Sequence, residues 1–185
     1  IYCAGDGDMH TICNCEENNI DVQSEDGKMS PQHMLTTTFA DELKLFNKDS
    51  KVFGVSLKDR GAILPAGHSA NGAYWMDGEG KWITSSFYMQ SLPDYIESIN
   101  NNNTVEKYLM NTWEVDGKFK HELANQYSQK GGSTIKNTPF GNTILKDLAL
   151  EIIENESLGQ RMHTDVLTIS FSSTDYIGHQ FGPHA

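Results

Sequence analysis

Hydrophobic and polar residues alternate along the chain in a pattern typical of an α/β protein. Two short apolar runs, at 51–57 and 166–171, have strand length and are predicted to be buried strands of a parallel sheet. Each run follows a segment in which apolar residues recur at helical spacing, over about residues 31–47 and 138–158. Because helices alternate with strands, we expect an α/β fold with a mainly parallel sheet.

Both predicted helices begin with a capping residue followed by proline, at Ser30-Pro31 and at Thr138-Pro139. The second helix ends before Gly159, which suits a helix C-terminus. The apolar residues that define the two helices are Leu35, Phe39, Ala40, Leu43 and Phe46 in the first, and Ile144, Leu145, Leu148, Ala149, Ile152 and Ile153 in the second.

The middle of the chain has weaker signals. Strand-like runs at 73–76 and 81–85 flank a turn with two glycines, which predicts a β-hairpin. Leu92-Pro93 opens a short helix that reaches about Asn100. Residues 104–137 are predicted to be loops that lie over the sheet.

These patterns suggest one main unit with two less regular parts. Residues 1–29 are polar and rich in turn residues, so we expect a surface excursion with a short strand around residues 20–22. Residues 61–137 are predicted to be a hairpin and loop-rich insertion.

Composition narrows the class of protein. The 185 residues suit one domain or a large part of a bigger one, and a first residue other than methionine predicts an internal segment. The net charge of −11, without a basic stripe, argues against a nucleic-acid backbone as partner. No apolar run approaches the roughly 18 residues of a membrane span.

Three cysteines lie near the start of the chain, at Cys3, Cys13 and Cys15. The number is odd and the Cys-x-Cys spacing is poor for a disulfide, so a bridge would join Cys3 to Cys13 or to Cys15. They are interpreted as structural or free thiols, and the redox compartment stays open.

Asp175 and His179 follow the second predicted strand, where α/β proteins bind ligands. Four residues apart, they lie on one face of a helical turn, within reach of one divalent ion. Gly178 and Gly182 would let the backbone bend around it. The alternative is that Asp175 caps a helix and His179 is a surface histidine, because two ligands do not complete a zinc site.

Lys58 and Arg60 follow the first predicted strand. In extended backbone they project to the same side, which suits an oxyanion. The alternative is a charged loop that pairs with acidic neighbours. His68 is interpreted as a hydrogen-bonding loop residue rather than a ligand.

Four uninterrupted motifs resemble the alkaline phosphatase superfamily, in particular the bacterial phosphate-irrepressible alkaline phosphatases, which are grouped with type I phosphodiesterases and nucleotide pyrophosphatases. The resemblance covers residues 27–100 and 138–185. The motifs are KDRGAILPAGH at 58–68, AYW at 73–75, TPFGN at 138–142 and FSSTDYIGHQFGP at 171–183.

The resemblance implies an α/β/α sandwich that hydrolyses phosphate esters at a two-zinc centre, in the periplasm or outside the cell. Carried over by motif, Asp175 and His179 bind one Zn²⁺, and Lys58 and Arg60 contact the transferred phosphoryl group. The family's nucleophile, a Thr or Ser, has no counterpart in this chain, because residues 172–174 belong to the metal loop. Residues 1–185 would then be a partial catalytic domain with half of the site.

The expected function is hydrolysis of phosphate monoesters through a covalent phospho-enzyme, with a small phosphate ester as partner. The alternatives are a phosphodiesterase or nucleotide pyrophosphatase with the same metals, or an incomplete fragment that only binds metal. Neither nucleic acid nor a membrane span is expected, and the oligomeric state is left open.

Overall fold

A five-stranded mixed sheet forms the centre of the computed structural model, which describes residues 4–13, 25–117 and 119–182. Its strands stand in the order β1-β4-β3-β2-β7. β2 is parallel to β3 and to β7, whereas β4 is antiparallel to β3 and β1. The bounds are β1 Thr11–Ile12, β2 Val52–Ser56, β3 Gly72–Met76, β4 Trp82–Ser85 and β7 Val166–Ser170.

Seven α-helices and a separate hairpin surround this sheet in the part of the chain that the structure describes. The hairpin pairs β5, Thr112–Val115, with β6, Phe119–Glu122. The helices are α1 Phe39–Phe46, α2 Asp59–Ala66, α3 Asp94–Asn101, α4 Thr104–Leu109, α5 Leu123–Lys130, α6 Pro139–Asn155 and α7 Ser173–Phe181. Short 3-10 helices span Glu25–Gly27 and Gly131–Asn137.

Helices cover both faces of the sheet, so the fold has three layers. Phe53 and Val55 of β2 belong to the larger core, with Leu145 and Leu148 of α6. On the other face α2 packs so closely that a Cβ on Gly54 would collide with the carbonyl oxygen of Ala62. Glycine is therefore required in the middle of β2, because α2 lies directly on the strand backbone.

The predicted positions of the strands, the first hairpin and the long second helix are confirmed, as is the α/β class with a mostly parallel sheet. The predicted burial of the second strand was wrong, because β7 stands at the end of the described strand order and is only partly buried. β3 of that hairpin pairs with β2, so the hairpin extends the central sheet. β1, from the predicted surface excursion, pairs with β4 at the edge of the same sheet. The strand predicted around residues 20–22 lies outside the described residues.

The predicted bounds of the first helix were wrong. α1 begins at Phe39, because Thr38 and Asp41 form a reciprocal capping box at that point. The apolar stripe is also exposed, with Phe39 at 77% and Phe46 at 91%, whereas Ala40 and Asp41 face inward. A buried, hydrogen-bonded aspartate thus sets the orientation of the helix, and its large side chains Phe39, Leu45 and Phe46 lie exposed.

Residues 104–137 are more regular than predicted, since they contain α4, the β5–β6 hairpin and α5. The ring of Phe181, at the end of α7, lies 5.0 to 6.0 Å from the rings of three hairpin residues, Trp113, Phe119 and His121. These aromatic contacts attach the hairpin to α7, a long-range arrangement that a single-sequence pattern does not contain.

Among the described residues, no helix has the length and apolar character needed to cross a membrane. Cys13 is in a disulfide, and the other two cysteines lie outside the described residues.

Candidate functional site

The carboxyl ends of β2 and β7 lie side by side at one edge of the central sheet. The two strands are parallel and paired in register from Val52 with Val166 to Ser56 with Ser170. The segments that follow them therefore leave the sheet together, which brings α2 next to the start of α7. All four predicted site residues belong to these two segments.

Lys58 and Asp175 are in direct contact although 117 residues separate them in sequence. Lys58 Nζ donates a hydrogen bond to Asp175 Oδ2 at 2.5 Å, and both side chains remain partly accessible to solvent. This hydrogen bond and the positive charge of Lys58 hold the pKa of Asp175 below its usual value. Asp175 is therefore an ionised acceptor at neutral pH, which is the state that a metal ion requires.

Asp175 and His179 stand one turn apart on α7, as predicted. His179 Nε2 lies 3.3 Å from Asp175 Oδ1, and the histidine is 80% exposed. Asp175 does not cap the helix, because the N-cap position is held by Ser172 and has no side-chain hydrogen bond. Both side chains can thus face a common ligand in front of α7.

Two candidate ligands do not complete a metal site. The described part of the chain holds no group of three or more His, Cys, Asp or Glu residues arranged to bind a metal. A catalytic zinc ion usually has three protein ligands and a structural one has four. Asp175 and His179 fit zinc by their donor types and their proximity, but only as part of a ligand set.

The predicted local backbone at this site needs two corrections. Arg60 lies in the first turn of α2, not in extended backbone, because the helix begins at Asp59. Arg60 is exposed and forms no ion pair with a described residue. Gly178 lies inside α7 without a positive φ, whereas Gly182 ends the helix at a φ of 80°. The chain therefore bends at Gly182, where a positive φ favours glycine, and the bend expected at Gly178 is absent.

Serine hydroxyls join the two strand ends, a feature that the sequence analysis missed. Ser56 Oγ donates to the carbonyl oxygen of Ser170 at 3.2 Å and accepts the backbone N–H of Lys58 at 3.1 Å. A Cβ on Gly61 would collide with Ser56, so α2 can approach only at a glycine. The small residues Ser56 and Gly61, on either side of Lys58, were the signal available in the sequence. Their size lets the backbone of α2 approach the ends of β2 and β7.

The start of α7 is anchored from α6. Asn142 Oδ1 accepts the backbone N–H of Ser173 at 3.2 Å, and Ser173 is fully buried. A Cβ on Gly141 would collide with Ser173 Oγ. The Thr138–Asn142 motif therefore lies beside α7, the helix that carries Asp175 and His179. Asn142 and Gly141 of this motif hold the start of that helix in place.

Tyr176 is a further residue of this site that was not singled out. Lys58 Nζ lies 4.3 Å from the centroid of its ring. Burial raises the pKa of Tyr176, the charges of Lys58 and Arg60 oppose the rise, and those of Asp59 and Asp175 add to it. The ring is therefore a neutral surface beside two cations at neutral pH.

Two other features lie apart from these residues. His68 lies in the turn after α2 and is a hydrogen-bonding residue, as predicted, with Nε2 at 3.0 Å from Met34 O and Nδ1 at 3.4 Å from Oδ2 of Asp41 in α1. A cavity of about 420 Å³ lies between α6 and the α3–α4 region, where Asn100 and Glu151 contribute to its wall. None of the four predicted site residues lines it.

Comparison with known proteins identifies the class. The chain belongs to the type I phosphodiesterase / nucleotide pyrophosphatase family, whose sequence profile matches residues 17–185. The resemblance inferred from the motifs is therefore confirmed.

Named relatives are longer than this chain. Alkaline phosphatase PhoV of Synechococcus elongatus is 39% identical over 100% of this chain and 37% of its own length. A Calcium-transporting ATPase of Myroides odoratus is 38% identical over 98% of this chain and 37% of its own length. The crystal structure of wild-type alkaline phosphatase PafA superposes with a TM-score of 0.88 at 34% identity, over 100% of this chain and 39% of that one. The chain thus spans well under half the length of these relatives.

Proposed function

We propose that the full-length protein hydrolyses phosphate monoesters at a two-zinc centre, through a covalent phospho-enzyme, and that this chain contributes half of that site. The observation that carries the proposal is the contact between Lys58 and Asp175 where two parallel strands end. It brings a cation suited to a phosphoryl group next to a carboxylate suited to a metal. The names of the alkaline phosphatase relatives support the same reaction.

Each residue has a separate task in this proposal. Lys58 and Arg60 stabilise negative charge on the non-bridging oxygens of the phosphoryl group, Arg60 through its planar fork and Lys58 as a point charge. Asp175 and His179 would hold one zinc ion, and zinc, when bound, supplies positive charge at the reacting oxygens. The described residues orient the substrate, and the bond-forming nucleophile is assigned to protein outside this chain.

The serines near the site are poor candidates for that nucleophile. Ser172 and Ser173 are buried, at 7% and 0% exposure, and Ser173 lies against α6. A nucleophile must reach the substrate phosphorus, so these two serines are assigned to the support of the start of α7 instead.

Lys58→Ala in the full-length protein tests the proposal. We expect kcat/KM for a phosphate monoester to fall roughly hundredfold, as for other lost charge-stabilising donors, and to fall less for a diester, which has one negative charge fewer. Lys48→Ala, at an exposed position in the turn after α1, is the matched control and leaves both values unchanged. Unchanged monoester turnover in Lys58→Ala would contradict the proposal that Lys58 contacts the phosphoryl group.

A phosphodiesterase or nucleotide pyrophosphatase is the second candidate, because the family is named for these activities. The ratio of monoester to diester turnover separates the two, and the Lys58/Arg60 pair favours monoesters. A third candidate is a piece that only binds metal. An intact mass of 20.7 kDa for the polypeptide would select it, and a much larger mass would favour the enzyme.

We also propose a periplasmic or secreted location. The disulfide at Cys13 supports it, because disulfides persist in oxidising compartments and are rare in the cytosol. Labelling of accessible thiols before and after reduction, in protein taken from fractionated cells, tests this. A free thiol at Cys13 in the protein before reduction would contradict the proposed location.

A further inference from the structure

We infer that Tyr176 is a positioning residue for Lys58 and holds its ammonium group against the face of the phenol ring. The inference rests on the proposed function, in which Lys58 contacts the phosphoryl group. Lys58 Nζ lies 4.3 Å from the centroid of the Tyr176 ring, inside the range in which the negative ring face attracts a cation. This contact adds Tyr176 to the site that forms where the segment after β2 meets α7.

The two contacts of Lys58 differ in their effect on its charge. Asp175 Oδ2, at 2.5 Å, is a negative partner that offsets the charge of the ammonium group. An aromatic ring attracts the ammonium group but carries no net charge, so the cation stays available to an anion. When Asp175 is committed to a metal ion, the ring of Tyr176 is the contact that continues to direct Lys58.

The ring is itself held in place. Tyr176 belongs to the first turns of α7, it is half-buried, and the start of this helix is anchored by the bond from Ser173 N–H to Asn142. A fixed ring limits the positions that the flexible side chain of Lys58 can occupy. Substrate binding then costs less conformational entropy, so the ring strengthens binding.

Two substitutions of Tyr176 in the full-length protein test the inference kinetically. Tyr176→Leu removes the ring face, and we expect it to lower kcat/KM for a monoester and to weaken inhibition by inorganic phosphate, each by roughly three- to tenfold. Tyr176→Phe keeps the ring face and restores most of both values. Tyr127→Leu, on α5, replaces another partly buried tyrosine and leaves them unchanged.

A double-mutant cycle distinguishes positioning through Lys58 from a general structural role. In the Lys58→Ala background, Tyr176→Leu should have no further effect, because the group that the ring positions is gone. A loss of the same size in both backgrounds would overturn the inference.

A measurement without catalysis separates this inference from the proposed function. Lysines of the full-length protein are reductively methylated with ¹³C, and the Lys58 signal is identified by its absence in Lys58→Ala. We expect the Tyr176 ring to shift this signal upfield, with the shift lost in Tyr176→Leu and kept in Tyr176→Phe. A signal insensitive to Tyr176→Leu overturns the inference. A ring-shifted signal in a protein without phosphatase activity would support the contact and reject the proposed function.

Discussion

The hydroxyl of Ser56 lies 3.2 Å from the carbonyl oxygen of Ser170 and joins the ends of two parallel strands. The hydroxyl oxygen of Ser56 also accepts a hydrogen bond from the backbone N–H of Lys58, and Ser56 is fully buried. One hydroxyl therefore connects the segment that carries Lys58 to the strand that leads to Asp175.

Ser56→Ala should lower the stability of the protein. The substitution leaves the partly buried carbonyl oxygen of Ser170 and N–H of Lys58 without this partner, which costs about 1–3 kcal/mol in the free energy of unfolding. Urea denaturation of the purified protein measures this cost, with exposed Ser91→Ala as a control expected to change stability by less than about 0.5 kcal/mol. Equal stability of the two variants would show that the hydroxyl bonds contribute nothing net.

Two glycine-to-alanine substitutions should change the stability of the protein in opposite directions. Gly54→Ala places a methyl group against the backbone of α2, and overpacking of this kind costs about 1–3 kcal/mol. At Gly178, within α7, an added Cβ meets no described atom within 4 Å, so Gly178→Ala should stabilise by about 0.5–1 kcal/mol through helix propensity. Melting temperatures of the pair test this, and a stable Gly54→Ala would contradict the close packing of α2 on β2.

Asp41 should make stability depend on pH at the acid end. Burial alone would raise its pKa, but hydrogen bonds from Thr38, Ser69 and His68 outweigh burial and lower the pKa from 3.8 to about 2. Because the folded-state pKa is depressed, the stabilisation is present above about pH 4 and is lost as the pH falls through about 2. The shift corresponds to about 2 kcal/mol.

Unfolding free energies between about pH 2 and 5 measure this effect. Asp41→Asn should be less stable at pH 5 and should lose most of the difference near pH 2, whereas exposed Glu154→Gln should follow the unmodified protein. Parallel pH curves for Asp41→Asn and the unmodified protein would show that Asp41 does not carry the effect.

At the proposed metal site Lys58 should compete with zinc for Asp175, because both would bind the same carboxylate. In the full-length protein we expect Lys58→Ala to bind zinc about two- to fivefold more tightly, the size of a partly exposed ion pair, although it turns over monoesters more slowly. Asp175→Asn should weaken zinc binding. Titration calorimetry measures both affinities, with Lys48→Ala as control, and weaker zinc binding by Lys58→Ala would contradict the competition.

The sequence by itself determined some of the local elements, although not the bounds of α1 or the elements within residues 104–137. Apolar runs with strand length predicted β2 and β7, and the apolar periodicity with Thr138-Pro139 predicted α6, because such patterns record which side of an element is buried. The i, i+4 spacing likewise placed Asp175 and His179 one turn apart. The motifs then identified the family.

Only the tertiary structure decided which elements meet. Register between β2 and β7 brings Lys58 to Asp175 and to the ring of Tyr176, across more than a hundred residues that the pattern of either segment does not report. The same limit explains α1, where the burial of Asp41 overrides the apolar stripe that contains Phe46. Local patterns encode how strongly a segment seeks burial, whereas its partners are chosen by long-range pairing and packing, and the geometry of the site follows from those partners.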